Sequence, residues 1–123
     1  MNTVNFFASI FVEADGRTIR QHNFVQRAQL PRPPLIGESV DFAPEHWKND
    51  DEMMFEVVEI TTLMKVRELK IVLESWQVEE ADETDWFKSI VECKFQLLET
   101  LEFGDEEIPE ETEAVEKPQE TKV

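Results

Sequence analysis

The chain has 123 residues, 41% of them hydrophobic, and 28 Asp and Glu against 12 Lys and Arg leave a formal net charge of −16. That balance steers the chain away from phosphate and anionic lipid, so direct nucleic-acid and membrane-surface binding are set aside and a basic protein surface becomes the natural partner. Nine Phe and three Trp supply the core of one domain, which excludes disorder throughout.

The first predicted element is a strand. Val4, Phe6, Ala8, Ile10 and Val12 alternate with Asn5, Phe7, Ser9, Phe11 and Glu13, a period of two with one strongly apolar face and one half-apolar face. Asp15-Gly16 suits a tight turn with positive φ, and a second strand follows from about Thr18 to complete a hairpin. Pro31, Pro33 and Pro34 end that ladder, because proline offers no N–H and restricts its predecessor. The stretch Pro33 to Val40 looks like the strand entry of many small β-barrel modules, with Val40 and Phe42 facing inward on a short third strand.

From Ala43 to Glu52 the chain is polar and reads as an exposed loop that contains Pro44, His46, Trp47 and the acidic triplet Asp50, Asp51 and Glu52. Residues 55–60 and 69–76 are β-rich runs joined across Lys65 to Glu68, a second hairpin whose turn lacks Gly or Asn. Residues 82–103 fit two periods. At about 100° per residue Trp86, Phe87, Ile90, Val91, Leu97, Leu98 and Leu101 form one helical stripe, with Asp82 or Thr84 as N-cap and Gly104 as stop. Against this, Val91, Cys93, Phe95 and Leu97 alternate with Glu92, Lys94 and Gln96 as a strand would. The helix is preferred, which leaves Phe95 outside the main stripe.

Charge places the domain boundary. Residues 1–35 carry +2, residues 36–103 carry −12 and residues 104–123 carry −6. The last stretch holds too few apolar residues to offset its ordering entropy and is expected to be a disordered acidic tail after a globular domain over 1–103. The expected fold is α+β: five mainly antiparallel strands in a sheet or partly open small barrel with one C-terminal helix. An all-β barrel with a sixth strand is the alternative.

Motifs for chemistry are sparse. Gly16, Gly37 and Gly104 are scattered, so no phosphate-cradling loop exists. No strand-turn-helix elbow surrounds a serine, and Cys93, the one cysteine, has no motif partner and reads as a buried inert thiol. His22 and His46 lack zinc-site spacing, and the triplet Asp50, Asp51 and Glu52 lacks the alternating ligands of a calcium loop. His22 reads as a surface or edge residue of its strand. The expectation is therefore a non-enzyme without cofactor or metal. The apolar run Phe6 to Val12 is too short to span a bilayer and follows no basic segment, so a cytoplasmic location is expected, in the host cell if the protein is viral.

Candidate partner-binding residues come from charge density. Glu79, Glu80, Asp82, Glu83 and Asp85 place five carboxylates within seven positions between Trp76 and Trp86, and His46 with Trp47 forms a second contact feature. Closely spaced carboxylates beside aromatics can occupy a basic channel in place of phosphates and bases. In composition alone, a small, very acidic, Met- and Phe-rich domain resembles phage-type inhibitors of nucleic-acid enzymes, DNA mimics and anti-defence proteins. That resemblance implies a non-catalytic inhibitor of a nucleic-acid-handling or defence enzyme. The alternative from another class is a virion or scaffold module that self-associates through its sheet.

Overall fold

The computed structural model describes residues 1–47 and 53–103. The acidic triplet Asp50, Asp51 and Glu52, Gly104 and the acidic tail 104–123 lie outside the described residues. Among the described residues seven strands form one mixed sheet with a single short helix: β1 (Asn2–Ala14), β2 (Arg17–Leu30), β3 (Ser39–Asp41), β4 (Met54–Leu63), β5 (Glu68–Leu73), β6 (Trp76–Glu79), α1 (Glu83–Glu92) and β7 (Gln96–Glu102). A turn of 3-10 helix, Glu80–Asp82, leads into α1.

The strand order is β3-β4-β5-β1-β2-β7, with β6 also on β1. The two ends of that order do not pair, so the sheet is open. The expectation of five mainly antiparallel strands in a sheet or partly open small barrel with one helix is thus corrected on strand count and on the barrel form, while a mostly β sheet with a helix is what forms, and the all-β alternative is excluded by α1. The parallel component has a topological cause. β5 joins β1 over Val4–Phe7, and β6 continues beside Ile10–Glu13 after a break at Glu74-Ser75. The second hairpin is thereby inserted beside the first strand rather than added outside the second.

Both predicted hairpins form. Asp15 and Gly16 take φ of 53° and 79° in a two-residue connection that pairs Ala14 with Arg17, the positive-φ pair that matches strand twist. The second turn uses Arg67 at φ 58° where Gly or Asn would be the low-strain choice. A bulge near Val58 turns that side chain out to solvent.

One face of β1 is fully buried: Val4, Phe6, Ala8, Ile10 and Val12 are each at most 2% exposed. Directly opposite residues share a face, so Phe24 and His22 of β2 join it. The core is aromatic. Phe42 stands 5.0 Å from Phe6 and 4.9 Å from Phe95, and Trp76 stands 5.0 Å from Phe55 and 5.4 Å from Trp86. α1 covers this face with Trp86, Phe87 and Ile90, while Ala43 and Trp47 pack from the β3–β4 connection. The opposite face of the sheet, with Phe7, Phe11, Val25 and Val72 half-buried, has no described element over it.

Residues 82–103 satisfy both periods in succession, helix first and strand second. The switch is a backbone motif. Lys94 at φ 78° donates its N–H to the Val91 carbonyl at 3.0 Å, and Phe95 donates to the Ile90 carbonyl at 3.3 Å. This is the paired bonding of a Schellman stop, completed by apolar contact between the flanking positions. Ile90 and Phe95 are both buried. Two expectations are corrected here: Phe95 belongs to the core, and Leu97, Leu98 and Leu101 are exposed on β7 rather than part of a helical stripe. Among the described residues no helix is long and apolar enough to cross a membrane.

Candidate functional site

α1 is tied to the sheet differently at its two ends, and the predicted contact residues divide between them. At the N-terminal end β6 runs into the 3-10 turn, and Glu79, Glu80, Asp82 and Asp85 stand exposed around the corner. Among the described residues their side chains make no hydrogen bond or ion pair. Asp82 occupies the N-cap position of α1 without a side-chain cap bond. From residue 71 to residue 87 the chain has no Lys or Arg. β6 also pairs Glu79 with Glu13 of β1, which adds another carboxylate to the same edge.

Glu83 departs from its neighbours. Its Oε1 accepts a hydrogen bond from Arg20 Nη1 at 2.6 Å, and its Oε2 lies 2.7 Å from His22 Nε2. His22 Nδ1 lies 2.9 Å from Thr100 Oγ1, and Arg20 Nε reaches Glu102 at 3.3 Å. One network therefore binds α1 to β2 and β7. Burial pushes the Glu83 carboxyl up, but hydrogen bonds from His22 and Arg20 outweigh it and hold the group below its ordinary value of 4.5. The cavity between Ile10, His22, Phe24, Val78, Glu83, Trp86 and Phe87 is about 10 Å³, room for one water and no substrate. His22, read from the sequence as a surface residue, is 7% exposed and is packed edge-on at 5.3 Å from Phe87. Nothing in the alternation marked it, because a buried histidine is recognisable only by its partner, and Glu83 is sixty-one residues away.

The C-terminal end holds His46 and Trp47. Trp47 Nε1 donates to Glu92 Oε1 at 3.1 Å, and His46 Nε2 lies 3.1 Å from Glu92 Oε2. Hydrogen bonds from His46 and then Trp47 lower the Glu92 carboxyl. Trp47 packs against the core while His46 is exposed, so this pair fastens the β3–β4 connection to α1. The two predicted contact features thus lie at opposite ends of one helix and form no single patch. Cys93 lies beneath this end, 2% exposed, and its thiol is pushed up to about 11 by burial and by the charges of Glu92 and Asp41. A thiol held protonated in this way is a poor nucleophile.

Among the described residues no three His, Cys, Asp or Glu side chains converge as metal ligands. What the N-terminal corner can do is electrostatic: it presents fixed negative charge on an ordered scaffold, close to Trp76 and Trp86. Compared with protein-family models, with curated proteins and with solved structures, the chain matches none.

Proposed function

We propose that this is a non-catalytic binding protein that engages a basic surface of another protein, as an inhibitor or mimic acting on a nucleic-acid-handling or defence enzyme. The observation that supports it is the corner Glu79, Glu80, Asp82 and Asp85: exposed, unpaired among the described residues, and held at the junction of β6 and α1. Two surface carboxylates elsewhere are matched to arginines, Glu38 to Arg32 and Glu68 to Arg27. Leaving like charges crowded and unmatched does not stabilise a domain, so their retention at one corner is accounted for by a partner of opposite sign. Glu83 is part of the brace beneath the corner rather than of its contact surface.

The test is a four-site variant, Glu79→Gln, Glu80→Gln, Asp82→Asn and Asp85→Asn, measured against a partner captured by wild type. Neutralising Glu45, Asp50, Asp51 and Glu52 removes the same charge elsewhere. The corner variant should lose about tenfold or more in affinity at low salt, with the control much less affected, and wild-type binding should weaken as salt screens the contact. Equal losses in both variants would reduce the effect to net charge and sink the reading. A second reading, self-association through the sheet, is favoured by the face with Phe7, Phe11, Val25 and Val72, which no described element covers. It is distinguished by a salt-insensitive oligomer in light scattering.

A further inference from the structure

The two edges of the sheet are finished differently. On the β3 side the edge strand has only three residues, and it is approached through a segment with Pro31, Pro33 and Pro34. Gly37 and Glu38 then pair with Val57 beyond its end. Short strands and prolines are the usual ways to blunt an edge. On the other side β7 runs seven residues, Gln96–Glu102, every one exposed. It contains no proline, lysine or arginine. Its inner side bonds β2, and no described strand or helix covers its outer side.

Three leucines stand on this edge, Leu97 at 44%, Leu98 at 56% and Leu101 at 40% exposure. Between and beside them are Glu99, whose Oε2 accepts from Asn23 Nδ2 while Oε1 has no partner among the described residues, and Glu102, 68% exposed in its side chain. An open ladder with apolar and acidic side chains is suited to an added strand of matching chemistry. A second copy matches poorly. Antiparallel self-pairing brings the same acids of both copies to one seam, and two chains of −16 each repel.

We propose that β7 is a docking edge, and that an extended segment of a partner protein, with lysine or arginine and aliphatic residues on both of its faces, adds to it as a further strand. On the face of Asn23 and Gln21 a basic side chain of that segment meets Glu99 and an aliphatic one covers Leu101, on the face of Arg20 and Phe24 a basic one meets Glu102 and an aliphatic one covers Leu97, and its backbone completes the ladder. The inference rests on the reading of the chain as a ligand of basic protein. It adds where and in what conformation the partner is held.

The probe is a short fluorescent peptide of lysine and valine in alternating pairs, which puts both on each face of a strand, titrated onto the full chain at low salt and followed by anisotropy and by amide hydrogen exchange. Its control carries the same side chains but is N-methylated at every residue, which removes the ladder donors of both strand edges and keeps the charge. The expected result is slowed exchange in 96–102 together with about tenfold weaker binding of the methylated peptide. Leu98→Lys with Leu101→Lys should weaken the unmethylated peptide by a similar factor while leaving the melting temperature near wild type. Equal binding of both peptides with no protection of β7 overturns the docking edge and leaves the electrostatic reading standing. Failure of both peptides to bind at low salt overturns both. A dimer that the double lysine variant converts to monomer overturns the proposal by showing that a second copy occupies the edge.

Discussion

The two ends of α1 are closed by opposite means, and the contrast shows what burial does to a polar contact. At the N-terminal end there is no side-chain cap, and the helix is instead anchored by Glu83 reaching down to Arg20 and His22, whose side chains are 22% and 9% exposed. At the C-terminal end the backbone closes itself through Lys94 and Phe95, and Glu92 makes a geometrically similar contact to His46 at the surface, with side chains 50% and 65% exposed. Two histidine–glutamate pairs on one helix thus differ chiefly in their surroundings. Buried polar groups are expensive to leave unmatched, whereas exposed ones exchange their partner for water.

The largest expected effect lies in the apolar half of the C-terminal stop. Phe95 is 2% exposed against Phe42 and Phe55, so Phe95→Ala should cost about 4 kcal/mol, and Ile90→Ala about 3 kcal/mol. Urea unfolding of both variants measures the ranking. A cost for Phe95→Ala below that of Ile90→Ala would restore the continuous helix that the sequence favours and would contradict the stop.

Next in size is the buried clasp. Glu83→Ala strands Arg20 and His22 and should destabilise by about 2 kcal/mol, less than a fully buried pair because all three groups retain some solvent. Acid should reproduce part of the loss. The folded-state value of Glu83 is depressed below 4.5, so between the folded and unfolded values the unfolded chain binds more protons and stability rises with pH. The contribution is complete above the unfolded value and disappears as pH falls through the folded one. The stability difference between wild type and Glu83→Gln should therefore be constant near neutrality and shrink below about pH 4.5. A difference that persists unchanged into acid would show that the carboxylate charge is not what holds this end.

What the sequence made legible follows from which contacts are local. The Asp15-Gly16 hairpin is written in two adjacent residues and an alternation on either side, and the second hairpin is written in its β-branched runs. The seventh strand was hidden because residues 91–97 alternate while also fitting a helical stripe, and the residue that divides them is Lys94, which takes a left-handed φ without advertising it as glycine would. Parallel pairing of β5 and β6 with β1 depends on contacts across more than sixty positions and has no local signature. Among the candidate contact residues, charge density located the corner, but it could not separate Glu83, turned inward to β2, from Glu80 and Asp82 beside it, turned out. Only the position of Arg20 and His22 on the opposing strand does that.

A smaller effect, of opposite sign, sharpens the account of the stop. Lys94 holds φ 78°, which costs a side-chain-bearing residue about 1 kcal/mol relative to glycine. Lys94→Gly should raise stability by nearly that amount, offset in part by the extra freedom of glycine in the unfolded chain. Loss of stability in this variant would mean that the Lys94 side chain contributes to the packing of the turn.

The smallest effect distinguishes a contact that shifts a titration from one that holds a fold. His46 and Trp47 lower the Glu92 carboxyl through hydrogen bonds, yet His46 and Glu92 are both largely in water. His46→Ala should leave the melting temperature within error of wild type while moving the Glu92 titration, followed by carboxyl carbon shifts, back up toward 4.5. The matching measurement at the other end, Glu83 in His22→Ala, should show both an upward titration and a lower melting temperature, because there the lost partner leaves a half-buried carboxylate with Arg20 alone. If His46→Ala lowers the melting temperature as much as His22→Ala does, the β3–β4 connection is a structural strap rather than a surface contact, and the two ends of α1 are equivalent after all.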